Sequence, residues 1–110
     1  MNINIFPITT LPNTFEQNPR VTVMPLLGKR IVKGSVTFRD GCLNVVGVRI
    51  KSHGALIVPF NAGWLIGNNK YTEFYPNFIL EGEGEGEIEV ETFNYAVDYP
   101  HTVIVRLEVD

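Results

Sequence analysis

Residues Thr102-Val103-Ile104-Val105-Arg106-Leu107-Glu108-Val109 alternate without a break. Val103, Val105, Leu107 and Val109 share one parity; Thr102, Ile104, Arg106 and Glu108 share the other. An extended chain sends successive side chains to opposite faces. The stretch therefore predicts a strand with one face in a core and the other toward water.

Working back from it, Val32, Gly34, Val36 and Phe38 alternate with Lys33, Ser35 and Thr37. Asp40-Gly41 follows, a dipeptide suited to a two-residue turn because both central positions need positive φ. This predicts a hairpin whose return strand runs from Cys42 to Lys51, with Val46, Val48 and Ile50 facing in and Arg49 and Lys51 facing out. Leu43 and Val45 fall on the opposite parity, so a bulge is expected near Asn44–Val46.

Further strands are expected over Asn2–Phe6, Arg20–Met24, Ala55–Val58, Gly63–Ile66, Asn77–Leu80 and Glu85–Asn94. Pro59 and Pro76 confine their neighbours to strand ends or sheet edges. Residues 7–19 hold three prolines and no periodicity. Residues 1–19 accordingly read as an extended N-terminal arm, and residues 20–110 as the domain proper. No window shows a helical stripe free of glycine and proline. Strand count alone leaves a sandwich, a jelly roll and a small barrel open. The reading adopted is an all-β antiparallel β-sandwich, jelly-roll-like, of eight or nine short strands.

The 110 residues suit a single domain with its own core. Hydrophobic residues make up 45% and charged residues 19%, a globular balance that argues against disorder. The lone cysteine, Cys42, has no partner for an internal disulfide, which favours a reducing compartment. The N-terminus lacks a basic region and a long apolar run, so no signal peptide is expected. The longest apolar stretch, Ala55 to Phe60, falls far short of the ~20 residues of a membrane helix. Synthesis in the cytoplasm is expected, and no membrane span.

Charge is unevenly distributed. Residues 1–70 carry eight of nine basic residues and two acidic ones; residues 71–110 carry one basic and ten acidic. The acidic run is Glu81, Glu83, Glu85, Glu87, Glu89 and Glu91, every second residue, with Gly82, Gly84 and Gly86 and then Ile88 and Val90 between them. A strand is expected to begin near Glu87, with Ile88 and Val90 inward. Three roles are weighed for the run: first a solvated edge that repels other strands, then a contact surface for a basic partner, and last a calcium site, against which the absence of Asp and Asn from the run and of any loop ligand spacing counts. The basic surface to match it would be Lys29, Arg30, Lys33, Arg49 and Lys51, gathered on the outer face of the hairpin, in a neighbouring copy.

Chemistry is sparse. His53 and His101 lack ligand spacing to each other or to Cys42, so no metal and no cofactor are expected. Cys42 lies beside a turn without a catalytic signature around it and reads as a packed residue. Gly82-x-Gly84-x-Gly86 fails as a phosphate loop because its intervening glutamates repel phosphate. The net charge of −3 and the inward parity of Phe38 argue against nucleic acid as a partner. No catalytic residues are assigned, and an enzyme is not expected.

Nine of the twelve aromatic residues lie between Phe60 and Tyr99. Trp64, Phe78 and Phe93 are expected in the core, and Tyr71, Tyr75, Tyr95 and Tyr99 at the surface. A ligand surface would draw on Trp64, Asn68, Asn69, Tyr71, Glu73 and Tyr75, the segment Asn68–Glu73 being read as a loop whose amide and carboxylate groups contact hydroxyls. Two functions follow. The first is a non-enzymatic structural or assembly module forming homo-oligomers, with a virus or phage particle as the setting that arms and complementary edges suit. The second is a carbohydrate- or receptor-binding module that recognises a surface glycan.

Overall fold

The computed structural model describes residues 2–26, 28–39, 45–52, 55–58, 63–80 and 86–110. Among these residues are ten strands and no helix: β1 (Asn2–Thr10), β2 (Arg20–Leu26), β3 (Arg30–Phe38), β4 (Val46–Ser52), β5 (Ala55–Val58), β6 (Leu65–Ile66), β7 (Lys70–Phe74), β8 (Phe78–Ile79), β9 (Gly86–Asn94) and β10 (His101–Val109).

They form two antiparallel sheets. The first has the order β1-β10-β3-β7, with β8 also on β3; the second has the order β2-β9-β4-β5, with β6 also on β4. The pairing is nested. β1 pairs with β10, β2 with β9, β3 with β7 and β8, and β4 with β5 and β6. The chain is thus one long ribbon of paired segments, closed by β10 against β3 and β9 against β4.

The inward faces of both sheets share one hydrophobic core in a sandwich-like arrangement. Val103, Val105, Leu107 and Val109 of β10 are fully buried, as their alternation requires. Opposite them in the second sheet, Ile88 and Val90 of β9 and Val46, Val48 and Ile50 of β4 point inward, as expected from their parity. Burying one such side chain contributes about 1.5–3 kcal/mol. On β3 the register steps from Glu108↔Lys33 to Val109↔Ile31, which leaves Val32 as an extra residue. Beyond that bulge the inward position passes to Ile31, which is buried, while Val32 is half-buried.

Three expectations are corrected. β3 and β4 do not pair as a hairpin; they lie in different sheets. The turn Asp40-Gly41, Cys42 and the bulge at Asn44 lie outside the described residues, as do His53 and Phe60. Second, Asn2–Thr10 is not an arm reaching to a neighbour. All nine residues pair with β10, placing β1 within the chain's own first sheet. Third, Lys70–Phe74 is not loop but strand β7, hydrogen-bonded to β3.

Residues 11–19 fold back on the domain through a buried asparagine. Asn94 and Thr14 exchange backbone hydrogen bonds of 2.7 and 3.0 Å. The Asn94 amide Nδ2 donates to the carbonyls of Thr10 and Tyr99, both at 3.0 Å, and its Oδ1 accepts from Ala96 N at 2.9 Å. Beside it, the Thr10 and Thr92 hydroxyls share a 2.7 Å hydrogen bond between the two sheets.

Candidate functional site

Recognition of β7 as a strand puts Tyr71, Glu73 and Tyr75 on one face. Thr72 and Phe74 take the inward parity, opposite Val36 and Gly34 of β3. The three outward side chains then converge. Tyr71 Oη donates to one oxygen of the Glu73 carboxylate at 3.0 Å, and Tyr75 Oη donates to the other at 2.7 Å. Both rings stay exposed, Tyr71 at 54% and Tyr75 at 66%.

The next strands across the sheet complete the patch. Lys33 of β3 stands 3.9 Å from Glu73, with its Nζ 5.8 Å from the centroid of the Tyr75 ring. Arg106 and Glu108 of β10 form an ion pair at 2.9 Å. The two donated tyrosine bonds, Tyr75's first, hold the Glu73 carboxyl below the ordinary glutamate range, and Lys33 and Arg106 add to the effect. In return, the Glu73 carboxylate raises the Tyr75 phenol above its ordinary value. The result is two aromatic faces tethered to one ionised carboxylate, in a patch holding two positive and two negative side chains.

Asn68 and Asn69 occupy the turn leading into β7, where Asn69 adopts a left-handed φ of 46° and donates its N–H to Arg39 O at 3.2 Å. Trp64 is elsewhere, on the outer face of the second sheet. Its ring lies under the Arg49 guanidinium, 4.1 Å from centroid to Cζ, and edge-on to Phe93 at 4.8 Å. Phe93 in turn meets Tyr95 edge-on at 5.0 Å, and Tyr95 lies tilted against Phe15 at 5.2 Å. Phe93 is buried, as expected, but in an aromatic cluster on the outer side of the second sheet, and Trp64 is only half-buried there, which corrects the expectation for Trp64 alone. Phe78 packs against the core as expected, and Tyr95 and Tyr99 are exposed.

The expected basic surface is also divided. Lys33 faces outward from the first sheet, Arg49 and Lys51 from the second, because β3 and β4 are in separate layers. Arg30 donates to Asn77 Oδ1 at 3.2 Å, and Lys29 precedes β3 at the surface. Of the acidic run, Glu87, Glu89 and Glu91 lie on the outer face of β9; Glu81, Glu83 and Glu85 lie outside the described residues. Glu91 is nearly buried and takes both Arg49, at 2.5 Å, and Lys51, at 3.5 Å. Its charge is matched within the chain.

Between the layers, β5 and β6 part from β7 and β8 around a cleft of about 550 Å³. Leu56, Val58, Leu65, Phe74 and Phe78 give it an apolar lining, joined by Glu73 and Tyr75. Among the described residues no three His, Cys, Asp or Glu side chains are grouped to hold a metal ion. His101 opens β10 opposite Thr10.

The sequence reading missed Lys33, Arg106 and Glu108 as members of the tyrosine patch. The outward parity of the last two was visible, but the order β10-β3-β7 that joins them to Glu73 was not. No family model, curated protein or solved structure matches the chain.

Proposed function

We propose that this chain is a non-enzymatic assembly module, a jelly roll that joins to further copies of itself along the side formed by β1 and β2. The jelly-roll reading draws support from the nested pairing of first strand with last and second strand with next-to-last, divided between two sheets. Fold alone does not assign function; the edges of the two sheets carry the assignment.

Among the described residues β1 and β2 are terminal strands of their respective sheets, and they lie on the same side of the molecule: Thr10 of β1 meets Thr92 of β9, the strand beside β2, and Asn4 and Pro25 line one cavity. β1 is nine residues long and contains no charged side chain. Its outward residues Ile3 and Ile5 are 53% and 59% exposed, and Val21 and Val23 of β2 are about equally so. Monomeric sheets guard such edges with charge, proline, short strands or a covering loop. Pro7 and Pro25 are the only proline interruptions in these two strands. On the inward side of the same strands, Asn4 Nδ2 and Thr22 Oγ1 are buried and find no hydrogen-bond partner among the described residues, a cost of about 1–3 kcal/mol each.

Strand addition from a second copy would cover Ile3 and Ile5 with cross-strand neighbours and satisfy the open backbone edge. Assembly into a virus or phage particle is the setting this reading suits. Sedimentation equilibrium at low and high salt tests it. The wild-type chain should self-associate at both, since apolar contacts are not screened, and Ile5→Lys with Val23→Lys should return it to monomer. A chain that stays monomeric at every concentration and salt level overturns the proposal.

A further inference from the structure

The face carrying β7 is independent of the β1 side, since β7 ends the first sheet at its opposite edge. Its two tyrosines are four residues apart, roughly 13 Å along an extended strand, yet their hydroxyls meet on a single carboxylate. The tethers draw both side chains toward Glu73. Exposed tyrosines fixed in this way lose little rotamer freedom when a ligand settles on them.

The local electrostatics narrow the choice of ligand. Glu73 is offset by Lys33 and Glu108 by Arg106, so the patch carries no net charge. A cationic ligand would find the Tyr75 ring already approached by Lys33 Nζ. An anionic ligand would meet the ionised Glu73. What the patch offers is aromatic faces together with hydrogen-bonding groups: a carboxylate with remaining lone pairs, an ammonium and two phenols. That combination suits a ligand with apolar C–H faces and a rim of hydroxyls. We propose that Tyr71, Glu73, Tyr75 and Lys33 form a binding site for a neutral oligosaccharide, with sugar rings on the tyrosines and a sugar hydroxyl bound by the Glu73 carboxylate. The span between the tyrosines fits a short oligosaccharide better than a monosaccharide.

The test uses the full chain on a printed array of neutral, sialylated and sulfated oligosaccharides, followed by calorimetric titration of the strongest neutral binder. A neutral oligosaccharide should bind, and its addition should shift the amide and ring resonances of Tyr71, Glu73 and Tyr75 in the wild-type spectrum. Tyr71→Ala and Tyr75→Ala should each weaken affinity about tenfold, while Tyr71→Phe, which keeps the ring, should lose less. Glu73→Gln should also weaken binding without changing the fold. The proposal is overturned by an array silent for neutral glycans, by binding confined to acidic glycans, or by resonance shifts located elsewhere. Binding that survives in the Tyr71→Ala/Tyr75→Ala double variant overturns it as well. Because the resonance map needs no variant, a misfolded mutant does not block the answer. A monomeric but glycan-binding chain would sink the assembly reading and leave this one standing.

Discussion

The ring of Phe93 lies across the backbone of Gly47, its directly opposed partner on β4. A Cβ at position 47 would come within 2.1 Å of the ring. Gly34 and Phe74 repeat the relationship on β3 and β7, at 2.3 Å. In each sheet a glycine leaves room for an aromatic ring that covers it from the next strand. On the second sheet the consequence is unusual: Phe93 faces outward yet is only 3% exposed. Trp64 and Tyr95 close over it, so this outer face has a small aromatic core of its own.

Gly47→Ala should therefore destabilise the fold by about 1–3 kcal/mol, the usual range for overpacking. Phe93→Ala should cost about 3–5 kcal/mol. The two effects should not add, because removing the ring removes the clash. Urea denaturation of both single variants and the double variant gives the coupling. Additive costs would mean that the ring does not rest on Gly47.

Asn94 should be the most sensitive polar residue. Asn94→Ala leaves the Thr10 and Tyr99 carbonyls and the Ala96 N–H without their partner, at a cost of about 2–3 kcal/mol. Asn94→Asp keeps the acceptor for Ala96 but sets a carboxylate against two carbonyls. It should destabilise more than alanine at neutral pH and recover on acidification. Denaturation midpoints at two pH values distinguish the two variants.

The strands with clean alternation were legible because burial alone dictates it. Val103 to Val109 and Ile88 with Val90 needed no partner to be placed. Their neighbours were not legible. Asp40-Gly41 predicts a turn, but nothing in it says whether the following strand returns beside β3 or crosses to the other layer. The residues that pair here, Val105 with Val36 and Ile50 with Val90, are far apart in the chain. β7 was missed because Phe74 is the one large apolar residue on its inward parity. The division of charge near residue 70 was plain in the sequence, but its meaning depended on the sheet order. β4 and β9 are neighbours, so basic and acidic segments that looked fit for two different copies meet within one.

That internal match can be tested at Glu91. Glu91→Gln would leave Arg49 and Lys51 adjacent, half-buried and without their shared carboxylate. Hydrogen bonds to charged groups contribute about 1.5–3 kcal/mol, so a loss in that range is expected, with little dependence on salt because the carboxylate is nearly buried. Lys51→Met, which removes the more distant cation, should change stability far less. Equal effects from the two substitutions would contradict the geometry.

The tyrosine tethers give a pH dependence with a definite sign. Glu73 is held below the ordinary glutamate range in the folded chain, chiefly by the Tyr75 hydroxyl and then by that of Tyr71. Its contribution is therefore present above the ordinary glutamate value and disappears as the pH falls through the lowered one. Tyr75 is raised by the same carboxylate, so on the alkaline side the tether persists past the ordinary tyrosine value and is lost only as the pH rises through the raised one. Between those limits the patch should keep one geometry. Carbon-13 titration of the Glu73 carboxyl should show a midpoint below that of a typical exposed glutamate. Tyr75→Phe should move it upward, and by more than Tyr71→Phe does, since the Tyr75 bond is the shorter and the stronger influence. A Glu73 midpoint unchanged by both substitutions would show that the hydroxyls do not hold the carboxylate in solution.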